Sequence, residues 1–220
     1  IVGAGPGGIY SAYELMKKCS DKKIAVFDSG YSLKKRHCPI DGEKVKACIK
    51  CKSCSIMSGF GGAGAFSDGK YNITNDFGGT LYEYIGKKAA TELMQYVDDI
   101  NMAHGGEGTK MYSTAGTNLK KVCLQNRLKL LDASVRHLGT DINLVVLGRL
   151  YDELKEHVDF YFESPVSHIE CLENGGYRVW SNDKSYDCEK CIVSVGRSGS
   201  KWMEHICKEL DIPTKSNRVD

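Results

Sequence analysis

The spacing of apolar residues changes several times along the chain, and each change marks an element. Ile9, Ala12, Tyr13 and Met16 recur at three- and four-residue steps, so residues 8–18 are predicted to form a helix with one buried face. Residues 24–27, IAVF, are a short unbroken apolar run ending on Asp28, the pattern of a buried strand. Only Ile1 and Val2 precede the first glycines, so residues 1–30 read as one βαβ unit with its first strand clipped. Over residues 80–104 the helical period returns through Leu81, Tyr84, Ile85, Leu93, Tyr96, Val97 and Ile100. Gly86 is placed to break or kink this helix, and Gly105-Gly106 to end it. A shorter helix is predicted over 118–127 and a strand over 128–135. A further helix runs from an N-cap at Thr140 to the region of His157, with Leu144, Leu147, Tyr151 and Leu154 on one stripe.

The last third of the chain shifts toward strand patterns. Residues 161–172, 177–181 and 188–195 read as a three-stranded meander, turned at 173–176 (ENGG) and at 182–184 (NDK). The glycine turn Gly196-Arg197-Ser198-Gly199 then leads into a helix over 200–210. Two stretches fit neither period. Residues 31–58 are polar, irregular and rich in cysteine. Residues 59–70, GFGGAGAFSDGK, carry five glycines in twelve positions, too many for a helix or strand interior. Such a loop belongs where backbone must approach something closely.

Composition narrows the function classes. Hydrophobic residues make up 41% of the 220, enough for a packed core, and the net charge of +2 argues against a nucleic-acid partner. The basic run Lys34, Lys35, Arg36 and His37 reads as a solvated face. No apolar stretch reaches eighteen residues, so no membrane span is expected. Ten cysteines, clustered rather than spread as a disulfide framework, point to a reduced, cytoplasmic setting. The chain begins without Met, and Arg218-Val219-Asp220 closes no element, so it is expected to be a fragment of a longer protein. The substrate, a small molecule, and the oligomeric state are not legible.

Gly3-Ala4-Gly5-Pro6-Gly7-Gly8 matches G-x-G-x-x-G in the right context, with strand before, helix after and an acidic strand end beyond. Gly3 permits the tight turn, Gly5 leaves room for a pyrophosphate, and Gly8 lets the helix pack closely. Pro6 and Gly7 open the helix, whose N-terminus favours phosphate. Asp28, followed by Ser29, lies twenty residues past Gly8, where a carboxylate accepts hydrogen bonds from a ribose 2′-hydroxyl. FAD and NAD share this pattern.

The stretches IVGAGPGGIYSAYEL, GFGGAGAFSDGK, RHLGTD and CIVSVGRSG resemble the FAD-dependent oxidoreductases of glutathione-reductase-like fold. More closely, they resemble a bacterial family of uncharacterised FAD-dependent dehydrogenases. The resemblance implies an α/β, Rossmann-like FAD-binding domain made of a βαβ unit plus a three-stranded meander. Residues 1–75 would be its first part, 76–140 an inserted, mainly helical substrate region, and 141–220 its second part. It further implies that Gly61, Gly62, Ala63, Gly64 and Ser67 line the pyrophosphate and flavin side and that Val166 pairs with adenine through its backbone. Gly196 would face the cofactor, and Arg36 would lie near the ribose and adenine. No second G-x-G-x-x-G appears, so NAD(P)H as electron donor stays open.

Three further groups carry candidate chemistry. Cys38, Cys48, Cys51 and Cys54 could hold zinc or an iron–sulfur cluster, although the spacing matches no complete ferredoxin pattern. Cys51 and Cys54 could instead be redox-active, and all four could be incidental. Cys188-x-x-Cys191 reads as structural, since it enters a strand. His137 and Asp141 flank a strand–helix loop where a histidine could act as acid or base and Arg136 could hold an anion, or the group could merely cap and pack. Beside a flavin oxidoreductase stand two other readings. One is a flavoprotein in RNA modification or with structural FAD, and the other is an NAD-dependent dehydrogenase without flavin.

Overall fold

A computed structural model describes residues 1–216; the segment Arg218-Val219-Asp220 lies outside the described residues. In chain order the elements are α1 (Pro6–Lys18), β1 (Ile24–Phe27), β2 (Lys70–Ile73), α2 (Leu81–Ile85), α3 (Lys87–Asn101), β3 (Met111–Ser113) and α4 (Leu119–Gln125). There follow β4 (Ser134–His137), α5 (Gly139–Leu154), β5 (Val158–Tyr161), β6 (Val166–Cys171), β7 (Tyr177–Ser181), β8 (Lys184–Cys188) and α6 (Ser200–Glu209). The architecture is mixed α/β with three small sheets, and the chain divides into two compact units.

The first unit joins Ile1–Ala65 to the chain from Leu150 onward. Here β1 runs parallel to β5, from Ile24 opposite Val158 to Phe27 opposite Tyr161. Val2 bridges both Phe27 and Val193 in parallel, so the short N-terminal run lies between β1 and residues 192–194. Gly8, Ile9, Ala12 and Tyr13 form the buried face of α1. The core gathers Val2, Phe27, Val166, Ile169, Val179 and Ile206. Phe60, fully buried, meets the rings of Tyr151, Phe160 and Phe162 edge-on.

The meander differs from its expected bounds. The expected strand 161–172 is two strands, because Glu163 takes φ +53° and Pro165 follows. The earlier part ends β5, and the later part, β6, starts an antiparallel sheet ordered β6-β7-β8. Asn182 and Asp183, at φ +48° and +60°, form a two-residue turn that matches strand twist and sends the chain directly into β8. The third strand is therefore Lys184–Cys188 rather than 188–195. Residues 192–194 instead bond to the backbone of Val2.

The second unit is Phe66–Arg149, with a sheet ordered β2-β4-β3, antiparallel throughout. Gly86 at φ +81° separates α2 from α3, and Gly105 at φ +110° lies in the turn after α3. The helical period held over 81–101, but its apolar face held only in part: Ile100 is buried, whereas Leu81, Tyr84, Ile85, Leu93 and Tyr96 are exposed, and Ala90, outside that face, is fully buried. The expected strand 128–135 begins only at Ser134, with Leu128 and Leu131 exposed and unpaired with any strand. Among the described residues, no helix is long and apolar enough to cross a membrane.

Candidate functional site

The first glycine loop is set by backbone crowding. Gly3, at φ +102°, donates its N–H to Phe27 carbonyl oxygen, and a Cβ there would lie 2.5 Å from the Ser194 carbonyl oxygen. A Cβ on Gly8 would collide with the carbonyl oxygen of Gly3. A larger residue at either position must displace main chain, which is why glycine stands there. The turn delivers the chain to α1, whose N-cap is Gly5, whose first residue is Pro6, and whose first turn has no acidic residue. First-turn amides have no acceptor within their own helix. Those of Gly7 and Gly8 therefore carry the positive end of the helix dipole to an exposed surface formed by Pro6 and Gly7.

The second glycine loop is brought against the first. Gly61 donates its N–H to the Ala4 carbonyl oxygen at 2.8 Å. A Cβ built on Gly62 would lie 3.0 Å from Gly5 Cα, a tight approach, while one on Gly5 would make ordinary contact with Gly62 Cα at 3.8 Å. Gly62 has φ +56° and begins a 3-10 turn through Gly64 and Ala65, with Ala63 exposed. Loops fifty-odd residues apart in sequence thus form one side-chain-free surface around the start of α1.

Asp28 braces this arrangement. Its Oδ2 accepts from the Ala4 N–H and its Oδ1 from the Gly30 N–H, both at 2.7 Å. The carboxylate is half-buried, and each oxygen retains a second lone pair for an outside donor. Ser29 beside it is exposed. Gly30, absent from the sequence reading, is tightly constrained: a Cβ there would collide with the backbone of Ser58 and Gly59. The signal was present, a glycine two residues after the acidic strand end, but its role depends on the partner chain at 58–60. Ser194, also missed, lies under the loop, its Oγ 3.4 Å from Gly3 carbonyl oxygen.

Arg36 differs most from expectation. Its side chain is buried, and the guanidinium donates to the carbonyls of Ser55 (2.8 Å), Phe60 (2.6 Å) and Ile56 (2.8 Å). It is not part of a solvated basic face. Its donors face protein carbonyls, so a ribose or adenine contact is not what fixes it. It clamps residues 55–60, the approach to the second glycine loop.

Val166 faces the core with its side chain, and β6 is an edge strand of its sheet, with Val166 paired to Ser181. Gly196, at φ +64°, is exposed with open space where a Cβ would point. Ser67 belongs to the second unit, where its Oγ accepts from the Gly69 N–H at 3.3 Å.

Of the two roles left open for Arg136, the second unit fits packing. Its guanidinium pairs with both oxygens of the buried Asp98 and donates to the Thr109 carbonyl oxygen at 2.7 Å. The fork is already matched by a carboxylate. His137 ends β4 and Asp141 lies in the first turn of α5, both exposed, with no acid–base pairing between them among the described contacts.

All ten cysteines are free thiols. Cys48, Cys51 and Cys54 are exposed and Cys38 half-buried. Among the described residues, no three metal-ligating side chains come together, so these four thiols are not gathered. Burial pushes the Cys188 and Cys191 thiols up from their ordinary pKa, away from the reactive thiolate. Alkylation at neutral pH is therefore expected to modify exposed Cys171 well before Cys188 or Cys191. Peptide mass mapping checks the order, and equal rates would reopen the dithiol reading.

Two cavities are lined by other residues. One of about 500 Å³ in the second unit includes Asn75, Tyr82, Lys87, Lys120 and Leu131, and one of about 450 Å³ lies along the β6–β7 turn and the end of β8. The glycine loops, which line neither of these, form a cradle open to solvent at Pro6 and Gly7.

No family model matches the chain. An uncharacterised protein of Clostridium beijerinckii is 23% identical over 210 residues, covering 95% of this chain and 32% of the relative. The chain thus spans about a third of that curated relative's length. Among solved structures, an L-amino acid deaminase from Proteus vulgaris aligns with TM-score 0.47 and 11% identity, over 96% of this chain and 49% of that one. NikD, an unusual amino acid oxidase essential for nikkomycin biosynthesis, aligns with TM-score 0.49 and 9% identity, over 95% of this chain and 52% of that one.

Proposed function

We propose that the chain is the FAD-binding part of a flavin-dependent oxidoreductase of glutathione-reductase-like fold. Residues 1–75 and 141–220 would contribute to the FAD domain, and 76–140 would be its insert. The observation that carries this reading is the meeting of two glycine loops, Gly5 against Gly62, around the exposed first turn of α1. Three features fit a dinucleotide diphosphate. The approaching backbones leave no side chain in its way. Amides of Gly7 and Gly8 would donate to its oxygens. The missing acid in the first turn removes a repulsive charge.

Asp28 would use its remaining lone pairs on the ribose, while the backbone at the open edge of β6 beside Val166 would serve adenine. Bound flavin supplies the hydride- or electron-transfer chemistry. The chain's own contribution is to bind and orient it: Asp28 fixes Ala4 and Gly30, Arg36 fixes residues 55–60, and Gly61 locks the second loop onto Ala4.

Asp28→Ala removes both the brace and the ribose acceptor. It is expected to weaken FAD binding about tenfold or more, the weight of one charge-assisted hydrogen bond. Fluorescence titration of the apoprotein with FAD measures it, and unchanged affinity would remove Asp28 from the site. Anaerobic addition of NADH or NADPH tests the donor, since bleaching of the flavin bands by either identifies a nicotinamide-linked reductase.

A further inference from the structure

We propose that residues 44–57 are a docking surface for an anionic lipid bilayer, with exposed lysines meeting the headgroups and Ile49 entering the boundary beneath them. The proposal does not rest on the flavin reading.

Charge is unevenly placed along this chain. The net charge is only +2, yet residues 34–57 carry six lysines and Arg36 against Asp41 and Glu43, so the rest of the chain has more acids than bases. No acid occurs between Glu43 and Asp68. Asp41 is already committed to its own turn, where its Oδ1 accepts the N–H groups of Glu43, Lys44 and Val45 at 2.9, 2.8 and 2.9 Å. Lys44, Lys46, Lys50 and Lys52 are all exposed, and none makes an ion pair among the described residues. Four unneutralised cations therefore lie within nine positions.

Apolar side chains stand among them. Lys50 takes φ +53° and its N–H donates to Cys48 Sγ at 3.4 Å, so the chain turns sharply about Ile49. Ile49, at the centre of that turn, is 59% exposed, and Ile40 and Met57 are exposed toward either end of the loop. Residues 36–53 contain no helix or strand. In a compact unit, an ordered stretch of this length without elements is usually functional. Arg36, bonded to the carbonyls of Ser55 and Ile56, ties the two ends together and holds the segment as one closed loop.

Lipid matches this surface better than other polyanions do. Single-stranded nucleic acid is held by aromatic stacking as well as charge, and residues 32–59 contain no phenylalanine, tyrosine or tryptophan. A protein partner favours arginine and aromatic anchors over lysine, and the one arginine here is buried against carbonyls. Lysines interleaved with exposed aliphatic side chains suit an anionic bilayer: charge draws the loop to the headgroups, and the apolar side chains enter the acyl boundary. Backbone outside a helix or closed sheet stays out of the hydrocarbon, so the contact is shallow and reversible.

The test is co-sedimentation of the full-length protein with vesicles, at low and at high salt. One set is pure phosphatidylcholine and the other phosphatidylcholine mixed equally with phosphatidylglycerol. Binding is expected only to the anionic set, weakening as salt rises. Each lysine near such a surface is worth about fivefold, so Lys50→Gln combined with Lys52→Gln is expected to weaken binding about 25-fold. Ile49→Ser leaves the charge intact and is expected to weaken it about tenfold. Lys87→Gln combined with Lys88→Gln removes the same charge from exposed positions of the other unit and is expected to change nothing. Circular dichroism checks that each variant is folded, and the parent protein alone answers the lipid and salt arms. The proposal is overturned by absence of binding to anionic vesicles, by equal binding to neutral ones, by equal loss in the Lys87 and Lys88 variant, or by parent-like binding of Ile49→Ser. A single-stranded RNA that binds through Lys50 and Lys52 more tightly than the vesicles do would overturn it as well.

Discussion

Arg36→Met is expected to destabilise the first unit by about 3–5 kcal/mol, the cost of leaving buried partners of a charged group without it. Three carbonyls, those of Ser55, Ile56 and Phe60, lose their donor, and methionine fills similar volume without replacing any of them. Arg36→Lys recovers little, because an ammonium is a point charge and cannot span three carbonyls in the plane of a guanidinium fork. Denaturant unfolding measures the loss, and limited proteolysis places it: cleavage within residues 37–58 is expected to rise sharply. The effect should reach the cradle, since Phe60 is the residue before Gly61, which bonds to Ala4. A variant within about 1 kcal/mol of the parent would mean the clamp is redundant.

The second large effect is in the other unit. Asp98→Ala is expected to cost about 3–5 kcal/mol, because it strands the guanidinium of Arg136 with a single carbonyl partner. The Asp98 side chain is 1% exposed and that of Arg136 14%, so solvent cannot replace the lost carboxylate. The double variant Asp98→Ala, Arg136→Met should recover part of this, since it removes the unpaired charge as well. If the double variant were as unstable as the sum of the two single variants, the pair would not be coupled, and the ion pair would not explain the burial.

Legibility followed locality. The helix over 6–18, the strand 24–27 and the glycine spacing rest on residues near one another in sequence, and the period revealed them. The break at Gly86 was equally readable, because only glycine takes that backbone conformation at little cost. What the sequence hid was partnership. Arg36 stands in a run of four basic residues, and nothing local distinguishes a buried clamp from a solvated charge; its partners lie about twenty residues away. The choice between the two roles left open for Arg136 was hidden for the same reason, with Asp98 thirty-eight residues off. The run 161–172 held its strand boundary in plain letters, Glu163-Ser164-Pro165, where the polar residues and the proline end one strand before Val166 starts the next. The apolar positions of α2 and α3 forecast the helices but not their exposure, since a period says which residues share a face and not what covers it.

Within the cradle, the direct contact of Gly5 with Gly62 was legible only as two separate glycine-rich loops. Their meeting gives the cofactor reading its physical content. The most direct check is to denature the purified full-length protein and identify the released small molecule by absorbance and mass. The account predicts FAD at close to one per chain, with Gly5→Val and Gly62→Val variants releasing little. A folded parent protein that releases no flavin and takes none up from added FAD would contradict it.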